Sequence, residues 1–378
     1  MTGILPSYEN DFISSNTQFN YRLMKIKHLL LALPMLFYSC GEQTENKGFI
    51  HIDFTNLMEA DAQKNSLNEW AKNVQFIPLE TNDSILIKHI NAVYQKEDKF
   101  LVMHGYTRIS IFNKEGKYLY DISSQGEGPT NFVSVSNVTL HNDLIYVHET
   151  NNRIKAYDWK GNFVKKMELP AKVNGLITMD GKDEMLAYVP NLLGDEPIRF
   201  YILKDEKVID SIPNPFLYPK AAFAQTFYPE FQPTFGRMKG FIELHSDTLY
   251  RVDKEWKTHP YLSINVGKYQ PTRKQRYSVA LADIRKNPMF GKNPLRVTGE
   301  INQRIFMYGS QTPRSEETFC YDKRTQEASK LLLSYPENSL DIPEDAAFKP
   351  RTIVENKYLV DWEQPDNDEN PIIVLVEP

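Results

Sequence analysis

Between residues 98 and 165, apolar and polar positions alternate in short runs, and the alternation repeats. The segment DKFLVMHGYTRISIFNKEGKYLY at 98–120 lies over DLIYVHETNNRIKAYDWKGNFVK at 143–165, with a shift of 45 positions and no gap. Val102 meets Val147, Arg108 meets Arg153, Ile109 meets Ile154, Phe112 meets Tyr157 and Gly116 meets Gly161. Period-two alternation marks half-buried strands. A repeat of this length with a glycine in its hairpin turn is the signature of a propeller blade.

The pattern predicts blade one as strands near 89–94, 100–104, 108–112 and 117–122, with 113–116 as a hairpin turn. Blade two repeats it at 134–140, 144–148, 153–157 and 162–167. Blade three is weaker, at 175–179, 184–189, 199–203 and 207–212, with Asp205-Glu206 in place of the glycine turn. Blade four keeps an outer hairpin at 247–252 and 260–264. Helical spacing over 273–285 predicts a short helical insertion near 271–290. Blade five resumes at 304–308, 318–321 and 328–333, and a last blade at 358–362 and 371–376 lacks an outer strand. Residues 49–54 and 74–79 read as spare strands, and 57–72 is helix-compatible. A propeller must close or it exposes a sheet edge, so a spare N-terminal strand is expected to complete the last blade beside 371–376. The predicted fold is all-β: a six-bladed β-propeller of four-stranded antiparallel blades spanning 49–378.

Composition agrees with this. Aromatic residues make up 12% and hydrophobic residues 41% of the 378, rich in strand formers and ample for a core. A net charge of −5 gives no basic footprint for nucleic acid, so no nucleic-acid partner is expected. The two cysteines, Cys40 and Cys320, form no disulfide framework.

The N-terminus carries a targeting pattern. Met24-Lys25-Ile26-Lys27-His28 is a basic start, 29–37 is apolar, and Tyr38-Ser39-Cys40-Gly41 follows. The apolar run is too short to span a bilayer, and the order of regions is that of a signal peptide. Phe37-Tyr-Ser-Cys40 resembles the lipobox of bacterial lipoproteins, with Phe37 where leucine is usual. That resemblance implies a signal peptide at 24–39, lipidation of Cys40 and a polar tether over 40–48. Residues 1–23 are read as an upstream extension, with Met24 the expected start. An acyl anchor holds a protein to a membrane without spanning it. The chain is therefore expected in the cell envelope as an outer-membrane lipoprotein, and as a monomer.

Four landmarks carry a resemblance for residues 74–378: Ile77-Pro-Leu-Glu-Thr81, Gly126-Glu-Gly-Pro-Thr-Asn-Phe132, Asp247-Thr-Leu-Tyr250 and Asn370-Pro-Ile-Ile. Together they resemble the six-bladed, NHL-repeat-like β-propeller lipoproteins of Bacteroides-like bacteria. The resemblance implies the fold; it implies little chemistry, since a fold does not fix a function.

Candidate chemistry is sparse. The Gly126–Gly128 loop could offer backbone N–H groups to an anion, but no helix follows it, and glycines also suit a tight crossover. Arg108 and Arg153 stand at equivalent blade positions, which suits ring contacts better than a ligand. Arg108, Glu127, Glu149, Asn151 and Arg153 are binding candidates at loops joining second to third strands or at crossovers, and Trp362, near a chain-end loop with Glu363 and Asp366, is an aromatic candidate for stacking on a sugar ring. Propellers of the sugar-lactonase type bind calcium through channel carboxylates and amides. No such set can be matched to positions here, and no metal motif is present, so no cofactor is expected. No G-x-S-x-G is present, and Cys320 falls in a strand. The reading is a binding module for a glycan, a peptide or an envelope partner protein. The alternative is a metal-dependent hydrolase or lyase with its site in the channel.

Overall fold

The computed structural model describes residues 48–378 apart from 124, 218–238, 243–245, 270–292, 313–314 and 337–339. The leader with Cys40 and the insertion expected near 271–290 lie outside the described residues. Three strands come first: β1 (Ile50–Asp53), β2 (Gln63–Ser66) and β3 (Asn73–Pro78). The blades then follow in chain order. Blade one is β4 (Ile90–Lys96), β5 (Lys99–His104), β6 (Arg108–Asn113) and β7 (Tyr118–Asp121). Blade two is β8 (Asn137–His141), β9 (Leu144–His148), β10 (Arg153–Asp158) and β11 (Phe163–Glu168). Blade three is β12 (Gly175–Thr178), β13 (Met185–Tyr188), β14 (Ile198–Lys204) and β15 (Lys207–Pro213). Blade four holds β16 (Gly240–Ile242), β17 (Thr248–Val252) and β18 (Thr258–Asn265). Blade five holds β19 (Asn293–Ile301), β20 (Arg304–Thr312), β21 (Ser315–Asp322) and β22 (Glu327–Ser334). The last blade is β23 (Thr352–Val354), β24 (Tyr358–Glu363) and β25 (Ile372–Glu377). The six sheets make the propeller ring that the repeat predicts.

Six apolar clusters hold the ring, one between each pair of neighbouring blades. Leu101 and Ile111 of blade one meet Val138 and Tyr157 of blade two. Val360 and Ile373 of the last blade meet Ile90 and Phe112 of blade one. Each sheet is thus covered on both faces, so strands such as β13 and β25 read as continuous apolar runs rather than alternating ones. Burying each such side chain contributes roughly 1.5–3 kcal/mol.

The two spare strands part company. β3 pairs antiparallel with β25, Ile77 opposite Ile373 and Val74 opposite Val376, and closes the last blade as expected. β1 instead lies parallel on β18, outside blade four. The helix-compatible stretch 57–72 keeps only a four-residue helix, α1 (Leu67–Trp70). Its polar run Gln63-Lys64-Asn65-Ser66 forms β2, parallel on β22. Backbone pairing at an outer edge asks for hydrogen bonds rather than apolar alternation, which is why the periodicity gave no sign of a strand there.

The closure explains two of the landmarks. Asn370, 2% exposed, donates from Nδ2 to the carbonyls of Glu80 (2.6 Å) and Ile85 (3.1 Å) and accepts at Oδ1 from Ile87 N (2.6 Å). Its own N–H donates to Thr81 Oγ1 at 2.7 Å. The Glu80 carboxylate accepts from Tyr118 N at 2.9 Å. Gly116 stands at φ +82°, and a Cβ there would collide with the Pro78 carbonyl oxygen, so only glycine lets the blade-one turn seat on β3. Ile77–Thr81 and Asn370-Pro371 are the two halves of one clasp.

Candidate functional site

Each blade has two ends. Tight turns between first and second and between third and fourth strands share one end. Connections from second to third strand, and the crossovers, share the other. We call these the turn end and the loop end.

The sequence candidates lie at the loop end, and most of their charge is already engaged. Arg108 donates to Asp121 Oδ2 from Nη2 at 2.6 Å and from Nε at 3.2 Å, and Ser110 Oγ donates to Asp121 Oδ1 at 2.6 Å. Glu149 is 1% exposed. Its Oε1 accepts from Val133 N at 3.1 Å, while Oε2 lies 3.3 Å from Arg153 Nε and 3.8 Å from Lys155 Nζ. Asn151 is exposed and accepts from Arg153 N at 3.0 Å, shaping the turn before β10. Glu127 is exposed on the glycine loop. That loop is bolted from below: Lys155 Nζ donates to the Asn131 carbonyl, Tyr157 Oη donates to the Thr130 carbonyl at 2.9 Å, and Phe132 is fully buried. A loop that turns its carbonyls onto a lysine of its own chain is built as a crossover brace.

Trp362 is half-buried, with the Arg351 guanidinium 5.1 Å from its ring centroid. Beside it Asp361, fully buried, accepts from Arg351 Nε (2.7 Å), Tyr335 Oη (2.7 Å), Lys349 N (2.7 Å) and its neighbour's N–H, Trp362 N (2.8 Å). Two residues on, burial and then the Asp361 charge push Glu363 up to about 7. With both Asp361 oxygens engaged by neighbouring segments, this cluster fastens β24 to the crossover from blade five.

The turn end holds a feature that no motif announced. A cavity of about 510 Å³ is lined by the inner strands β4, β8, β12 and β23 and by the residues Asp180, Glu355 and Asn356 beyond their turn ends. Its polar groups are Gln95, Thr139, Thr178, Asp180, Lys239, Thr352, Glu355 and Asn356, and residues such as Tyr94, Leu176 and Ile353 give apolar wall. Asp180, Glu355 and Asn356 are exposed at the rim. Glu355 and Asn356 stand at φ +54° and +52° in the β23–β24 turn, a conformation uncommon for glutamate. Gln95 Nε2 donates to Glu355 Oε1 at 3.2 Å and to the Glu97 carbonyl at 3.3 Å. Two acceptors facing one amide nitrogen settle the orientation of that amide. Its Oε1 is then buried with no hydrogen-bond partner among the described residues. Burial lowers the Lys239 pKa, and the Asp180 charge works against that shift.

The inner wall is itself stiffened by polar contacts. Tyr94 Oη donates to Asn137 Oδ1 (3.1 Å), whose Nδ2 donates to the Asn174 carbonyl (2.8 Å). Thr139 Oγ1 lies 3.0 Å from Nε2 of His148, a fully buried ring pulled down to about 3 by desolvation and so neutral. Only a statistical excess of polar residues at the ends of inner strands could have signalled the cavity. A single chain with degraded repeats does not supply it.

Among the described residues no group of three or more His, Cys, Asp or Glu is placed to hold a metal ion. Cys320 is buried and its thiol is pushed up to about 12 by desolvation. No helix of the described residues is long and apolar enough to cross a membrane.

Comparison with known proteins agrees with the architecture. No curated protein sequence matches the chain. A crystal structure of a Bacteroides fragilis protein described as exported is similar over 87% of this chain and 99% of its own, with 16% identity and a TM-score of 0.65. A virginiamycin B lyase from Staphylococcus aureus aligns over 81% of this chain and 99% of its own, with 11% identity and a TM-score of 0.44. At 16% identity the likeness to the Bacteroides fragilis protein is one of fold. The sequence model of a domain of unknown function, DUF4934, matches residues 49–377, the whole propeller from β1 to β25, and the chain belongs to that family.

Proposed function

We propose that the protein is a binding module that takes a small polar ligand at the turn-end mouth of its inner strands. A lipid on Cys40 holds it to the outer membrane. The observation that carries this reading is the cavity of about 510 Å³. Ligand pockets commonly enclose about 300–1,000 Å³; this one falls in that range, and polar side chains from several blades converge on it. We place the ligand there rather than among Arg108, Glu149 and Arg153, whose charges already face partners in their own blade. The anchor is supported by the basic start, apolar run and Cys40 of the leader, and by a structural neighbour described as exported.

The test is a screen of the full chain against glycan and peptide arrays, repeated with Gln95→Leu and Arg108→Gln. The expected result is a binder lost with Gln95→Leu and kept with Arg108→Gln. A binder insensitive to Gln95→Leu contradicts the placement. For the anchor, growth with a clickable palmitate should label the wild-type chain and leave Cys40→Ser unlabelled; equal labelling of both removes it.

A further inference from the structure

We propose that Lys239 is a reactive amine, and that the turn-end cavity holds a small carbonyl compound, an aldehyde or ketone, as an imine on its Nζ. This rests on the placement of the ligand just proposed and goes beyond it by naming a residue and a chemical class. Lys239 stands apart from the other buried lysines of the ring. Lys155, 2% exposed, lies 3.8 Å from Glu149 Oε2 and donates to the Asn131 carbonyl. Lys330, 6% exposed, lies 2.9 Å from Glu317 Oε1 and donates to the Ala60 carbonyl at 2.9 Å. Lys239, half-buried just before β16, lines the cavity and has neither a hydrogen bond nor an ion pair among the described residues.

An ammonium is strongly hydrated, and one held without a counter-charge in a partly desolvated place gives up its proton more readily. That is the direction here: burial lowers the Lys239 pKa, and the Asp180 charge works against it. The other titratable groups about it are Glu355 of the last blade and His141 at the end of β8, whose own pKa the Lys239 charge lowers in turn. A desolvated amine with its lone pair free is the form in which lysine attacks a carbonyl carbon. The Nζ lone pair forms a bond to that carbon while the C=O π pair moves to oxygen, and a proton passes from nitrogen to oxygen. The nitrogen lone pair then expels the oxygen as water, which takes one further proton, and the C=N bond forms. Loss of the second nitrogen proton restores the one taken, so amine and carbonyl give imine and water with no other reactant. The cavity opens at a rim where Asp180 and Glu355 are exposed, so water can carry these protons.

The experiment is reductive trapping on the full chain, which needs no variant to fold. The protein is incubated with glyceraldehyde and sodium cyanoborohydride, which delivers hydride to the C=N bond and fixes the imine as a secondary amine. Peptide mass spectrometry gives the rate at each lysine across neutral and mildly alkaline pH. The exposed Lys160 and Lys254, in turns at the same end of the ring, are the reference. The expected result is a rate at Lys239 at least fivefold above both at neutral pH, rising at lower pH than theirs, with Lys155 unmodified. A rate at Lys239 no higher than at Lys160 and Lys254, with the same pH profile, overturns the proposal. Its failure is distinct from that of the ligand placement. A binder lost with Gln95→Leu but no trapping removes the amine alone, and trapping with a binder that ignores Gln95→Leu removes the placement alone.

Discussion

Blades one and two share a backbone and differ in what they do with it. At a shift of 45 positions, His104, Arg108, Ser110 and Asp121 of blade one become Glu149, Arg153, Lys155 and Lys166 of blade two. In blade one the arginine finds its carboxylate on the fourth strand, at Asp121, in a pair with side chains 38% and 25% exposed. In blade two the carboxylate has moved to the end of the second strand. Glu149, with no side-chain exposure, is shared between Arg153 and Lys155, and Lys155 is 3% exposed. The free lysine reach is used to grip the crossover loop from blade one. The lesson is that the repeat specifies strand positions and turns, while side chains at equivalent positions are reassigned blade by blade. An arginine that recurs is evidence about the ring and says nothing of a ligand.

The sharpest way to break this comparison is to remove the two carboxylates in turn. Glu149→Ala leaves Lys155 and Arg153 facing one another in a buried site. Loss of one partner of a buried pair costs about 3–5 kcal/mol, and the loosened crossover adds to it. A fall of that size in the urea unfolding free energy is expected, and a loss below 1 kcal/mol would mean the charges find water. A smaller effect comes from the histidines. His148 is held near 3 and His104 near 4, both by desolvation. In each case the folded pKa lies below the unfolded one of about 6.5. The unfolded chain therefore binds the proton first, so stability is complete above that pH and falls as the pH drops toward the folded values. The slope approaches about 1.4 kcal/mol per pH unit per histidine. Unfolding midpoints between pH 7 and 5 should fall steeply in the wild type and less steeply in His148→Gln; identical slopes would remove the neutral-histidine account. The smallest change is Asp121→Asn. Its pair is partly solvated, so about 0.5–1 kcal/mol is expected, and a value matching Glu149→Ala would erase the distinction between the blades.

Much of the fold was legible because strand periodicity and turn chemistry are local. The three complete blades at 89–212 fall within a few residues of their predicted bounds, as do the hairpins of β17–β18 and β24–β25. The closure by β3 followed from the need to cover an edge. What the chain hid was the use of edges by polar backbone: Gln63–Ser66 pairs by hydrogen bonds alone, and no apolar pattern marks it. The inner strands β19 and β23 were missed for a related reason. β23 is only three residues long, and β19 ends the stretch where the repeat is interrupted. The cavity was less legible still. Gln95, Asp180, Lys239 and Glu355 come from four blades and meet only when the ring closes. The loop-end candidates Arg108, Glu149 and Arg153 were visible as a motif because they repeat. That repetition is what structural pairs require.

The central claim is that recognition sits at the turn-end mouth and the repeated charges at the loop end are framework. The most direct measurement is a calorimetric titration, with the best binder from the array screen, of wild type, Glu355→Gln and Arg108→Gln side by side. The account predicts affinity at least tenfold weaker for Glu355→Gln and within twofold of wild type for Arg108→Gln. The reverse order, with Arg108→Gln abolishing binding and Glu355→Gln leaving it intact, would contradict it.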